Sequence, residues 1–172
     1  MTRFALQPAQ SDAEFDGARA LFIEYADRLG VDLCFQGFAS ELQMLNTMYG
    51  PPGGRLIIAR QDEEYVGCVG VRRISNEVCE MKRLYVRDAA RGSGLGRELA
   101  KASLEAARAL GYQRIVLDTL SPMTAARDLY ATLGFKEIAP YYDNPIEGAI
   151  YMALDLSDAQ HPPIDRRPEP QM

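Results

Sequence analysis

The sequence predicts an α/β (α+β) domain: a mixed, mostly antiparallel sheet of about seven strands with helices on both faces. The prediction rests on three features. Leu56, Ile57, Ile58 and Ala59, then YVGCVGVRRI, then VCEMKRLYV form successive strand-like runs joined only by QDEE and Ser75-Asn76, and connections that tight make an antiparallel meander. Over residues 94–110 the period changes: Leu95, Leu99, Ala102, Ala106 and Ala109/Leu110 recur at helical spacing, with Arg97, Lys101, Glu105 and Arg108 elsewhere round the helix. RIVLDTL follows, apolar without alternation, as a strand covered on both faces is.

The other elements fit around these. Residues 2–8 alternate weakly as a first strand, and Ser11-Asp12 N-caps a helix that carries Phe15, Ala18, Leu21, Phe22 and Tyr25 and stops at Gly30. FASELQMLNTMY reads as a second, shorter helix, which PPGG separates from the meander. Gly111 stops the helix of residues 94–110. Ser121-Pro122 supply an N-cap and first helical position for a helix over residues 123–133, ended by Gly134. KEIAPYY resumes as a strand, DNPIEG is a loop, and AIYMALDL is the last strand. One domain over residues 1–157 is expected. Residues 158–172, ending HPPIDRRPEPQM, form a Pro-rich tail with too little apolar surface to order itself.

Composition narrows the function. At 172 residues, 47% of them hydrophobic, the chain has the size and apolar content for one core. A net charge of -5 with no Lys/Arg block offers nothing to a phosphate backbone, so nucleic acid is not an expected partner. Cys34, Cys68 and Cys79 include no C-x-x-C pair, which suits a reducing cytoplasm and predicts neither a disulfide framework nor a metal site. MTRFALQPAQ lacks an apolar h-region, and no run approaches the ~18 to 20 residues that cross a bilayer, so neither secretion nor membrane insertion is expected. The single histidine, His161, lies in the tail, so Ser-His-Asp chemistry is excluded and any general base must be another residue type.

The segment LYVRDAARGSGLGRELA joins a strand to a helix through Arg91, Gly92, Ser93, Gly94, Leu95 and Gly96. Such a turn can aim several backbone N–H groups and a helix dipole at one anion, with glycines admitting close approach and Arg91 and Arg97 adding charge. A flexible turn with a packing glycine is the plainer reading. No Lys-Ser/Thr pair follows for a Walker loop. The dinucleotide fingerprint also fails, because its third glycine falls on Arg97 or Leu99. Asp118 imitates the ribose-binding acid of a Rossmann unit, yet the turn here follows a meander rather than an early parallel strand.

At these residues the chain resembles the GNAT superfamily of N-acetyltransferases, of the small single-domain kind. The family motif R/Q-x-x-G-x-G/A stands as Arg91-x-x-Gly94-x-Gly96, preceded by MKRLYV and followed by RIVLDT and by A-x-x-L-Y-x-x-x-G-F at residues 126–135. The resemblance covers about residues 2–156. It implies the acyl-coenzyme A N-acyltransferase fold, with a splay between the fourth and fifth strands that takes acetyl-coenzyme A. Main-chain groups of Leu84, Tyr85 and Val86 would meet the pantetheine arm, and Gly92, Ser93, Gly94, Leu95, Gly96 and Arg97 the pyrophosphate. Members often carry Asn seven residues before the helix tyrosine; this chain has Met123, with Ser121 or Thr124 as stand-ins.

The resemblance also assigns chemistry. An alkyl ammonium must lose a proton before its nitrogen attacks a thioester. Glu80 has the spacing of the histone-type catalytic glutamate, eleven residues before Arg91; alternatively it pairs with Lys82 or Arg73 on a solvated strand face. Tyr130 matches the family's usual donor to the leaving thiolate; otherwise it fills the core beside Ala126, Leu129 and Leu133. Tyr141, Tyr142, Asp143, Asn144 and Glu147 precede the last strand, where members contact substrate, and Asp143 and Glu147 would suit a cationic amine; a polar loop is the alternative. Tyr25, Phe35 and Phe38 form the other wall or pack between helices, and Cys79 is a small strand residue or a ping-pong nucleophile. The expected activity is direct transfer of acetyl from acetyl-coenzyme A to a primary amine of a small molecule or peptide, by a monomer or homodimer without metal. The alternatives are a non-catalytic acyl-coenzyme A sensor on the same fold and a Rossmann-like enzyme using NAD.

Overall fold

A capping box starts the first helix. The Ser11 side chain accepts from the Glu14 N–H and the Glu14 carboxylate accepts from the Ser11 N–H, opening α1 (Asp12–Leu29), which Gly30 closes at φ 68°. The computed structural model describes residues 3–156; the expected tail and His161 lie outside the described residues.

Seven strands, β1 (Ala5–Pro8), β2 (Arg55–Gln61), β3 (Glu64–Arg73), β4 (Val78–Val86), β5 (Arg114–Leu120), β6 (Lys136–Ile138) and β7 (Ala149–Asp155), form one sheet in the order β1-β2-β3-β4-β5-β7-β6. Every neighbouring pair is antiparallel except β4 and β5. The meander over residues 55–86 is therefore as expected, and the amphipathic helix α4 (Leu95–Ala109) leads to the one parallel neighbour, β5, which makes the sheet mixed. One core joins the sheet to α4 through Leu95, Leu99 and Leu104, and to α5 (Thr124–Thr132) through Tyr130. The opposite core joins it to α1 through Phe15, Leu21 and Phe22, with Leu45 and Tyr49 beside them.

Three local expectations change. FASELQMLNTMY forms two short helices, α2 (Phe38–Gln43) and α3 (Leu45–Met48), because the chain breaks at exposed Met44 and turns Leu45 and Tyr49 inward. KEIAPYY pairs only over Lys136–Ile138, since Pro140 has no N–H to donate and the two tyrosines turn toward the site described below. Met123, not Ser121, stands at the N-cap of α5; the Ser121 N–H instead donates to the Gly148 carbonyl at 2.8 Å.

A bulge shapes β4. Its register with β3 runs Cys68↔Tyr85 on one side and Gly70↔Lys82 on the other, so β4 carries an extra residue between. Arg83 there adopts φ 59°, a left-handed conformation uncommon outside glycine. The buried Arg83 guanidinium makes two parallel bonds to Glu41 of α2, at 2.9 and 3.0 Å, and lies over the rings of Phe38 and Tyr25. The bidentate pair holds the bulge in shape, and a bulged strand bends away from its neighbour.

The sheet also packs tightly under Tyr49. A Cβ built on Gly70 of β3 would meet the Tyr49 ring at 2.5 Å. Gly70→Ala should therefore destabilise the fold by about 1 to 3 kcal/mol through overpacking, measured by urea unfolding; an unchanged midpoint would show that the ring moves freely.

Candidate active site

β4 and β5 pair over only three positions, Val78↔Arg114, Cys79↔Ile115 and Glu80↔Val116. Beyond Glu80 the bulge carries β4 away while β5 stays paired with β7 as far as Leu120↔Ala149. A cleft opens between the diverging strands. Its deep end is lined by Lys82, Asp118, Gln36, Asn144 and Tyr130, among apolar neighbours. Its outer end is lined by Leu84, Tyr85, Val86, Arg91 and Glu147. Tyr25, Leu29, Leu84, Leu120, Met123 and Ile146 line both, so the two ends are one groove.

The deep end is polar and interlocked. Glu80 is 1% exposed, with Oε1 held by Arg72 Nε at 2.7 Å and by Lys82 Nζ at 3.8 Å, and Oε2 accepting the Tyr141 hydroxyl at 2.5 Å. The solvated face considered for Glu80 is thus a buried one, and Arg72 rather than Arg73 is its near partner. Asp118 Oδ2 accepts from the Tyr142 hydroxyl at 2.5 Å, from Asn144 at 3.3 Å and from Gln36 at 3.5 Å, the limit of hydrogen bonding. Burial pushes the Tyr141 and Tyr142 phenols well up, reinforced by Glu80 and Asp118 respectively, so both remain protonated donors at neutral pH. Burial lowers the Lys82 ammonium, against the opposing pull of Glu80. The rings of Tyr141, Tyr142 and Tyr151 stack against one another, 5.2 to 5.5 Å between centroids, and wall off this corner.

Tyr130 both packs and lines. Its ring lies 5.7 Å from Phe135 inside the core while the residue forms part of the cleft wall, and burial pushes its phenol well up. Cys79 is fully buried and its thiol is pushed up to about 12 by burial, which leaves almost no thiolate for nucleophilic attack.

At the outer end the glycine turn has the form an anion needs. Gly92 and Gly94 adopt φ 76° and 86°, and a Cβ on either would meet nothing within 4 Å. The first N–H of α4, that of Leu95, reaches only the Ser93 hydroxyl at 3.4 Å, and those of Gly96 and Arg97 remain open to a phosphate. Leu95 contributes backbone only, its side chain being buried in the core. The Ser93 hydroxyl donates to the Ala90 carbonyl. Arg91 borders the groove, its Nε bonded to the Val86 carbonyl at 3.0 Å. Arg97 turns instead to Thr132 of α5 at 2.9 Å. An open N-terminus, a glycine cradle and a groove running inward from them fit a coenzyme A.

The structure brings Glu80, Leu84, Tyr85, Val86, Arg91, Tyr130, Tyr142, Asn144 and Glu147 to the groove or directly against its polar end. Ser121, Thr124 and Asp143 are exposed and are not among the groove-lining residues; Met123 lines it instead. Sequence reasoning passed over Asp118, Lys82 and Gln36 as site residues. A signal existed for Asp118, the lone acid in the largely apolar strand RIVLDTL, which demands a polar partner. Gln36, 82 residues away in the chain, carried none.

Among the described residues, no helix is long and apolar enough to cross a membrane, and no group of three or more His, Cys, Asp or Glu side chains could hold a metal ion. Residues 20–135 match the Acetyltransferase (GNAT) family. An uncharacterised N-acetyltransferase of Schizosaccharomyces pombe is 42% identical over 146 residues, spanning 84% of this chain and 90% of that one. Among solved structures, an acetyltransferase of Streptococcus agalactiae superposes with a TM-score of 0.73 at 22% identity, over 88% of this chain and 98% of its own. A GNAT family acetyltransferase of Elizabethkingia anophelis, solved with acetyl-CoA bound, gives 0.64 at 20% identity, over 90% and 99%. With a strand-bulge-splay groove, a glycine cradle and these relatives together, the chain belongs to the GNAT acetyltransferase family and is an acetyl-coenzyme A-dependent N-acetyltransferase.

Proposed function

We propose that this enzyme passes acetyl directly to a primary amine of a small molecule or peptide, with the amine held at Asp118 and the donor lying along the groove. The observation that supports this is the groove's continuity: the same six side chains line the phosphate-fitting end and the charged end. Acetyl-coenzyme A supplies the thioester carbonyl and a thiol leaving group. The cradle of Gly92, Ser93, Gly94, Leu95 and Gly96, with Arg91, holds the pyrophosphate, and main-chain groups of Leu84, Tyr85 and Val86 hold the arm. Ser121, Thr124 and Arg97 belong to this cofactor set only if they turn inward on binding.

Asp118 takes one proton from the acceptor ammonium, the neutral nitrogen then attacks the thioester carbonyl, and as the C–S bond breaks the remaining extra amine proton passes to the departing thiolate, to which Tyr130 donates a hydrogen bond. Glu80, with both oxygens engaged, sets Arg72, Lys82 and Tyr141 in position; this moves the base role from the glutamate that spacing suggested to the acid that lines the groove. Tyr142 and Asn144 fix Asp118, while Glu147 lines the entrance and Asp143 lies outside the lining. The buried Cys79 favours direct transfer over an acetyl-cysteine intermediate. The free thiols of Cys34, Cys68 and Cys79 fit a reducing cytoplasm, and either a monomer or a homodimer accommodates the scheme.

Thermal unfolding with and without acetyl-coenzyme A tests the donor site. At about 100 times the dissociation constant the ligand should add roughly 2.7 kcal/mol, a midpoint rise of about 5 to 11 °C for a chain of this size. Intact-protein mass spectrometry tests the route: acetyl-coenzyme A alone should leave the protein unmodified, with thiol released only when a primary amine is added. An acetylated protein formed without amine would establish a ping-pong route. Tight binding without thiol release to any primary amine would favour a sensor.

A further inference from the structure

The base of the splay holds three cations and three carboxylates, and two pairs close on themselves. Arg83 and Glu41 are joined by two hydrogen bonds, and Arg72 holds Glu80 at 2.7 Å. Lys82 reaches the same Glu80 oxygen only at 3.8 Å, behind Arg72, and is 7% exposed. Asp118 receives only neutral donors, the Tyr142 hydroxyl and the amides of Asn144 and Gln36, all on Oδ2. Lys82 and Asp118 line the same deep cleft from opposite strands of the splay, and no ion pair joins them within 4 Å.

Gln36 bridges them. Its carbonyl oxygen accepts from Lys82 Nζ at 3.3 Å, while its NH2 group donates to the Tyr142 hydroxyl at 2.9 Å and approaches Asp118 at 3.5 Å. The amide thus turns an oxygen to the cation and a nitrogen to the anion. A free amino acid presents the same order of groups, a carboxylate oxygen and an amine nitrogen, with full charges and one more carbon between them. Gln36 sits on the short 3-10 turn Cys34–Gln36, so it can leave without disturbing the sheet.

We propose that the acceptor is an amine carrying its own carboxylate, a free amino acid, with the carboxylate on Lys82 and the nitrogen on Asp118 in place of the Gln36 amide. The assignment rests on the acetyl-transfer reading above. A buried ammonium one strand away from the reacting nitrogen attracts a carboxylate and repels the second charge of a diamine. This seat replaces the expectation of a purely cationic acceptor greeted by Asp143 and Glu147, since Asp143 is exposed outside the groove lining and Glu147 lines only the outer end.

Thiol release from acetyl-coenzyme A should be compared across free amino acids, their carboxamides and the corresponding decarboxylated amines, for the full chain and for Lys82→Met. Free acids should exceed their carboxamides at least tenfold in kcat/KM. Lys82→Met should bring that ratio near one by raising KM for the acids, with the thermal shift by acetyl-coenzyme A retained as evidence of folding and donor binding. Carboxamides or decarboxylated amines used equally well, or no free amino acid acetylated while acetyl-coenzyme A binds, would overturn the proposal. Absence of acetyl-coenzyme A binding in the full chain would instead bring down the transfer reading on which it stands.

Discussion

Asp118→Asn should lower kcat by about 10²- to 10³-fold while leaving the thermal shift produced by acetyl-coenzyme A unchanged. The substitution is nearly isosteric, and an asparagine oxygen still accepts the Tyr142 hydroxyl, so the corner stays packed. What disappears is the only carboxylate among the residues lining the deep cleft, and with it the site that holds an ammonium and takes its proton. The loss should fall on turnover rather than on the donor, whose phosphate end lies at the other end of the groove. Glu80→Gln provides the contrast. Its carboxylate is 1% exposed and committed to Arg72, Lys82 and Tyr141, so its loss should reduce activity through misplacement of those groups and should also lower the unfolding midpoint. A larger fall in kcat for Glu80→Gln than for Asp118→Asn, with the fold intact, would return the base role to Glu80.

Glu41→Gln should destabilise the enzyme by about 3 to 5 kcal/mol, because it leaves the Arg83 charge buried without its counter-ion. For a chain of this size that corresponds to a fall in the unfolding midpoint of about 6 to 20 °C. The pair is enclosed, with side chains 3% and 2% exposed, and the Phe38 and Tyr25 rings over the guanidinium replace only part of the lost attraction. The double substitution Glu41→Leu with Arg83→Met separates an unpaired charge from lost packing. Replacing both partners by apolar side chains should recover most of the stability, whereas a deficit as large as that of Glu41→Gln would mean that the bulge needs the two hydrogen bonds themselves.

Much of the fold was legible because its causes are local. The meander shows as β-branched runs separated by polar links, α4 as a period of apolar residues, and α1 as an N-cap at Ser11-Asp12 with Gly30 at its end. The glycine turn beside the groove was legible for the same reason: its glycines and the start of α4 are neighbours in the chain. Boundaries failed where a tertiary demand overrode the local one. Met44 interrupts a helical run so that Leu45 and Tyr49 can be buried, and Ser121 is tied through its N–H to Gly148 while α5 begins only after Met123.

The sequence by itself therefore determined the meander, the main helices, the family and a glycine turn of the form an anion needs, since period, capping and glycine conformation act over a few residues. Which carboxylate lines the groove was decided only by the tertiary structure. Glu80 and Asp118 look alike in sequence, each the one acid of its strand. Their surroundings diverge because β4 and β5 part after the pairing of Glu80 with Val116, because Arg72 and Tyr141 seal Glu80, and because Gln36 and Tyr142 arrive from distant segments to meet Asp118. Register between strands and the convergence of remote side chains depend on how the whole sheet twists and packs, and no short stretch of sequence carries that information.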